Sequence, residues 1–235
     1  MTERFPSTVT LQGVSRAFGR TFALHRADLE LRSRSITALI GDNGAGKSTL
    51  LNILATIDEP TSGTITYGEI SRRNFARRAR HRIGWVSHQA LLYDELTARE
   101  NLRFYAGMYG LKDIDHRAAS WLDRVGLNDA ADRMVRNFSR GMKQRLTIAR
   151  ALIHNPQLLL FDEPATGLDQ QGNRFLIDLL NELRDRGRIV VLVSHDFELI
   201  SSLADRVVVL RRGQIALEAA TDGDFNLLEA YGEYA

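Results

Sequence analysis

The sequence predicts an α/β fold: a mostly parallel sheet buried on both faces, an antiparallel β layer beside it, and an inserted α-helical subdomain. Three observations carry this. Several strand-length segments are continuous apolar runs rather than alternations, the pattern of strands covered on both sides. One of them, residues 36–40, leads straight into a glycine-rich loop, GDNGAGKST at 41–49, and then into an apolar helix. Residues 91–150 hold no convincing strand and read as all helix.

In chain order, strands are expected at 9–14 and 28–31, with turns signalled by Gly13 and Gly19. The run 36–40 is the first buried strand. Helix 47–55 follows, its apolar positions being Leu50, Leu51, Ile53 and Leu54. Short strands at 64–67, between Gly63 and Gly68, and at 83–86 complete residues 1–90, a nucleotide-binding core with its antiparallel layer. The helical subdomain, 91–150, contains helices at 98–109 and 115–125 and the start of one at 142–153. Residues 151–235 return to the core, with strands at 158–161, 189–193, 206–210 and 214–217 and helices at 172–186 and 197–204.

Composition narrows the function. The chain has 235 residues, 44% of them hydrophobic, enough to bury a substantial core. It has no cysteine, which excludes disulfides and thiolate metal sites. The polar opening has no apolar signal core, and no apolar run nears the roughly 18 residues that span a bilayer. A protein of the cytoplasmic face is expected, reaching the membrane through a partner or its surface. The net charge of +2 says little about partners. The one dense basic patch, Arg72, Arg73, Arg77, Arg78, Arg80 and Arg82, reads as a solvated helix face. It lacks interleaved aromatics, so no nucleic-acid partner is expected.

The loop at 41–49 fits G-x-x-x-x-G-K-[ST], whose backbone amides wrap phosphates at a helix N-terminus. Asn43, Gly44, Ala45, Gly46, Lys47, Ser48 and Thr49 are its candidate nucleotide contacts. Lys47 can bridge β- and γ-phosphates, and the Ser48 hydroxyl can ligate Mg2+. The run 158–161 ends in Asp162 and Glu163. Asp162 falls at the carboxyl edge of the sheet, where an acid can hold the Mg2+ water shell. Glu163 is expected on the opposite side of the backbone, able to polarise the water that attacks the γ-phosphate. A third element, NFSRGMKQR at 137–145, opens a helix and offers a second anion-binding end. Separated from the first loop by the helical lobe, it is suited to a nucleotide held by another subunit.

Together these residues resemble the ATP-binding subunit of an ABC transporter, with a P-loop NTPase (RecA-like) core. Residues 41–49 resemble the Walker A loop, and 158–163 the Walker B strand with its catalytic glutamate. Residues 138–142 resemble the signature motif, with Ser139 and Gly141 kept and Phe138, Arg140 and Met142 departing from L-S-G-G-Q. TGLD at 166–169 resembles the D-loop, ending in Asp169, and His195 the switch histidine. Gln89 matches the Q-loop glutamine, a Mg2+ and nucleotide contact, with a plain loop amide as its alternative reading. Phe18 matches the aromatic that stacks on adenine, with simple core packing as its alternative reading. The resemblance implies ATP and Mg2+, catalysis by Glu163, His195 and Lys47, and metal contacts from Ser48, Gln89 and Asp162. It implies a head-to-tail homodimer, or a heterodimer with a related subunit, and integral membrane permease subunits. Residues 87–105 and the Met-Lys-Gln-Arg end of the signature are most similar to the haem exporter ATPase of cytochrome c maturation. A drug-type exporter ATPase, a soluble non-transport ATPase and a non-hydrolysing sensor are the alternatives.

Overall fold

The computed structural model describes residues 6–221 and 227–234. The chain runs β1 (Thr8–Phe18), β2 (Thr21–Arg32), β3 (Ser35–Ile40), α1 (Lys47–Leu54), β4 (Ser62–Tyr67), β5 (Ile70–Ser71), α2 (Arg72–Arg78) and β6 (Ile83–Val86). Then come α3 (Ala98–Met108), α4 (Ile114–Arg124), α5 (Arg140–Leu152), β7 (Leu158–Asp162), α6 (Gln170–Asp185), β8 (Ile189–Val193), α7 (Phe197–Leu203), β9 (Arg206–Arg211), β10 (Gln214–Ala220) and α8 (Leu227–Tyr234).

Two sheets form. The first is antiparallel, in the order β2-β1-β4-β5. The second has the order β10-β9-β3-β8-β7-β6, parallel except for the edge strand β10. Every residue of β3, β7 and β8 is buried, as their unbroken apolar runs require. Register then sets the site. Val193 at the end of β8 pairs with Leu39 of β3 on one side and with Asp162 of β7 on the other. The carboxyl ends of three adjacent strands therefore finish at one level, where open α/β sheets bind ligands.

One core cluster joins the antiparallel sheet, α1 and one face of the parallel sheet. A second packs α5, α6 and α7 on the opposite face, and a third fills the helical lobe of α3, α4 and α5. Leu50, Leu51, Ile53 and Leu54 are all fully buried, so α1 is held by about 1.5–3 kcal/mol of apolar burial per side chain.

Three local expectations change. Gly13 lies inside β1, at a register shift where its N–H bonds Asp28 Oδ1 at 2.7 Å. With φ 58 it makes a bulge rather than a turn, and β1 continues to Phe18. The helix α8 and the short strand β5 are additions to the predicted elements. The arginine-rich segment forms α2, yet it is only partly a solvated face. Arg72 donates to the Asp58 carbonyl at 2.5 Å, and Arg80 to the Thr56 hydroxyl and carbonyl at 2.8 Å each. These two arginines tie down the loop after α1, while Arg73, Arg77 and Arg78 are exposed.

Candidate functional site

A cavity of about 400 Å³ opens where β3, β7 and β8 end. Asn43, Gly44, Gly46, Lys47, Ser48 and Thr49 line one side, and Asp162, Glu163 and His195 another; Ala23, His88 and Val193 complete it. Gly46 caps α1 with φ 109 and no side-chain cap, leaving the first amides of the helix without a side-chain partner. A Cβ at Gly46 would stand 2.4 Å from the Ala23 carbonyl oxygen, so only glycine fits. Free helical amides beside a cavity form a ready anion site. Ala45 does not line it: Ala45 is buried and its N–H bonds the Asp42 carbonyl at 3.0 Å.

Lys47 is 8% exposed, and its ammonium donates to the carbonyls of Gly41 at 2.5 Å and Asp42 at 3.0 Å. Two of its three donors are thus used inside the loop, and one remains for a phosphate oxygen. Burial lowers its pKa, against the opposing pull of Glu163, Asp162 and Asp42.

Glu163 departs from the strand alternation expected of it. Its backbone is left-handed, φ 52, just past the end of β7, so it borders the same cavity as Asp162 instead of facing away. Its N–H is bonded to the Val193 carbonyl at 2.9 Å, which holds that turn. Glu163 Oε2 accepts from the His195 backbone N–H at 3.4 Å, and His195 Nε2 stands 3.6 Å from Oε1. Oε1 itself is buried with no hydrogen-bond partner. Burial raises the pKa of Glu163 and, likewise, of Asp162, whose ion-pair partner is His88 Nδ1 at 3.9 Å.

A separate cavity of about 480 Å³ is lined by Ser139, Arg140, Gly141, Met142, Gly167 and Asp169, with Gly126, Leu127, Asp129, Ala130 and Arg145. Ser139 caps α5, its Oγ accepting from Met142 N–H at 3.2 Å. Asp169 caps α6 by accepting from Gly172 N–H at 2.8 Å, and Arg145 donates to the same oxygen at 3.1 Å. Between the two cavities lies a third, of about 560 Å³, shared by Asp162 and Glu163 with Arg140, Lys143 and Gln144. Gln144 anchors the two sides by donating to the Pro164 carbonyl at 2.9 Å.

Residues 24–166 match the ABC transporter family. The chain belongs to that family. Among its relatives, the linearmycin resistance ATP-binding protein LnrL of Bacillus subtilis is 35% identical over 214 residues, covering 90% of this chain and 69% of LnrL. The lantibiotic transport ATP-binding protein SrtF of Streptococcus pyogenes is 34% identical, with 94% of each chain covered. A solved ATP-binding subunit of an ABC transporter superposes with a TM-score of 0.88 at 27% identity, over 96% of this chain and 98% of that one. A dimeric ATP-binding cassette in a post-hydrolysis state, bound to ADP and Pi, superposes at 0.83 with 29% identity, over 92% and 99%. The protein is thus an ABC transporter ATP-binding subunit and an ATP hydrolase with the P-loop NTPase fold.

Within this ABC subunit the predicted residues divide. The phosphate loop, Asp162, Glu163 and His195 meet in one cavity, while Ser139, Gly141 and Asp169 meet in another. Phe18 joins neither. It ends β1 with 53% of its surface exposed and the Arg16 guanidinium 4.6 Å over its ring, which rules out core packing. Gln89 is exposed and absent from the cavity walls; Ser87 Oγ bonds its carbonyl at 2.7 Å, and His88 occupies the wall instead. Sequence reasoning gave His88 no role, and its place two residues beyond β6 was the available signal.

Proposed function

We propose that this chain powers an exporter by hydrolysing ATP at composite sites formed when two copies meet head to tail. The separation of Ser139 and Gly141 from the cavity of Lys47, Asp162 and Glu163 carries the reading. One chain presents two anion-binding ends that do not face a common space, and a second copy supplies the missing half. The dimeric state of the similar cassette supports this.

The phosphates of ATP lie on the α1 amides with Lys47, and adenine lies on the exposed Phe18 ring. Glu163, on the cavity wall, orients the attacking water, and His195 holds the γ-phosphate. Water oxygen bonds to the γ-phosphorus, the bond from that phosphorus to the β-bridging oxygen breaks, and Glu163 accepts the proton, leaving ADP and phosphate. The Ser48 hydroxyl and the largely buried Asp162 carboxylate are hard oxygen donors on the cavity wall and suit Mg2+. When bound there, Mg2+ neutralises charge on the phosphate oxygens. A part for Gln89 requires the loop after β6 to close inward.

Among the described residues no helix is long and apolar enough to cross a membrane. Coupling to permease subunits at the cytoplasmic face falls to the segment after Gln89. There Leu91, Tyr93, Phe104 and Met108 are exposed, and the rings of Tyr93 and Phe104 meet at 4.8 Å. For cargo, the likeness of residues 87–105 to the haem exporter ATPase supports haem for cytochrome c maturation. The names of LnrL, SrtF and the daunorubicin resistance protein DrrA3 favour a drug- or lantibiotic-type cargo. Deleting the chain in its host separates these: loss of c-type cytochromes supports haem, and drug sensitivity with normal cytochromes supports the other. The composite site is tested with Glu163→Gln, which retains ATP and accumulates an ATP-dependent dimer. A variant that stays monomeric at saturating ATP overturns it.

A further inference from the structure

Tyr231, on the last helix, donates its hydroxyl to Asp42 Oδ1 at 2.9 Å, across 189 positions of sequence. Asp42 is the second residue of the phosphate loop. Its carbonyl accepts from both Lys47 Nζ and the Ala45 N–H, so its backbone helps shape the loop. Its carboxylate is near enough to Lys47 to act on that ammonium electrostatically. A negative charge there opposes the triphosphate that the loop is built to hold. Yet Asp42 is absent from the cavity wall, although Asn43 beside it lines the cavity.

The helix that brings Tyr231 is itself fixed. Leu227 is buried against Ile200, Ala204, Val207 and Val209, and the Tyr231 ring meets Phe197 edge-on at 5.2 Å. The hydroxyl therefore projects from a packed platform formed by β9 and α7. The bond to Asp42 also raises the phenol's pKa, so the donor proton is retained throughout the neutral range.

We infer that Tyr231 is a positioning residue for ATP: it holds the Asp42 carboxylate outside the phosphate cavity and so sets nucleotide affinity from the last helix. The inference rests on the ATP-site reading above. Releasing the carboxylate lets it swing toward the phosphates, which weakens binding without touching the groups that perform hydrolysis.

The test is a cycle of Tyr231→Phe, Asp42→Asn and the double variant, read by ATP titration, KM, kcat and melting temperature. Tyr231→Phe raises Kd and KM for ATP about three- to tenfold, the size of one ordinary net hydrogen bond, with kcat within about twofold of wild type. In the Asp42→Asn background, which keeps an acceptor oxygen but no charge, the same change alters Kd by less than about twofold. Equal effects in both backgrounds, or a fall in kcat and melting temperature with Kd unchanged, overturn the inference and leave only a structural contact. Wild-type protein that binds no ATP sinks the site reading and this inference with it. Wild type that binds ATP, with Tyr231→Phe indistinguishable from it, sinks this inference alone.

Discussion

Gly141, in the first turn of α5, faces the backbone of Gly167 so closely that a methyl group added to it would stand 2.8 Å from the Gly167 carbonyl oxygen. The signature-like loop and the D-loop-like turn thus touch backbone to backbone. Both line the cavity that holds Asp169. The contact leaves no room for a side chain at Gly141.

Gly141→Ala tests that contact. The added methyl pushes the start of α5 away from the turn at Gly167, while the phosphate loop lies elsewhere. ATP binding by the isolated protein is expected to stay within about twofold of wild type. Turnover falls about 10- to 100-fold, the scale of a misplaced reacting group. Steady-state phosphate release alongside ATP titration checks this; full turnover would show that the backbone contact is slack.

As the proposed base, Glu163 is expected to govern the acid side of the rate profile. Burial raises its pKa, so it loses its base form as pH falls through a value above the ordinary range near 4.5. Turnover is expected to decline with acid from that raised point. Glu163→Gln removes about 10²–10⁴ of the rate and, with it, this acid limb. A residual rate in the variant with the same acid limb would assign the titration to another group.

Asp162 sets function against stability. Its folded pKa is raised by burial above the unfolded value of 3.8. The stability it contributes is therefore present below that value and lost as pH rises through the folded one. Once ionised, Asp162 is a charged, largely buried carboxylate in the nucleotide-free protein. Asp162→Asn is expected to raise the melting temperature by about 2 °C or more while abolishing Mg2+-dependent hydrolysis. Calorimetry without nucleotide decides it; a lower melting temperature would mean that the carboxylate is already compensated.

His154 predicts the opposite slope. Its Nε2 bonds the Ile83 carbonyl at 3.0 Å, its ring stacks on Tyr109 at 3.9 Å, and its Nδ1 is buried without a partner. Charging the ring would place a second N–H where nothing accepts it, and burial depresses the pKa from 6.5 to about 4. A depressed folded pKa means stability is present above 6.5 and is lost as pH falls toward about 4. From this residue alone the protein is about 2 kcal/mol less stable at pH 5 than at pH 7. His154→Asn keeps a donor for Ile83 and cannot titrate. Urea melts at the two pH values are expected to show a smaller pH effect in the variant; equal effects would place the titration elsewhere.

The residues of the sequence that speak most plainly are those whose chemistry depends on local spacing. The loop at 41–49 follows a wholly buried strand, and the acid pair at 162–163 follows another. Neither needed the rest of the chain to be recognised, and nor did the helical insert or the parallel sheet. Glu163 was misread because strand alternation ends at the residue before it, where the backbone turns left-handed. Gly13 was misread because a positive-φ glycine serves a bulge as readily as a turn, and pairing between β1 and β2 decides which. His88, one residue before Gln89, lines the cavity and was not foreseen because a loop carries no periodic signal.

What the sequence determined by itself is the kind of chemistry: an anion cradle with one lysine, two acids at a strand end, and a second cradle on a helix. What the tertiary structure decided is which of these meet. Val193 aligns the ends of β3 and β7 through two ladders, one of them to Leu39, a residue of the first buried strand far away in the chain. The same packing keeps Ser139 out of the phosphate cavity and brings Tyr231 to Asp42. Such pairings depend on strand register and core packing, which are properties of the whole folded chain, so no local stretch of sequence records them.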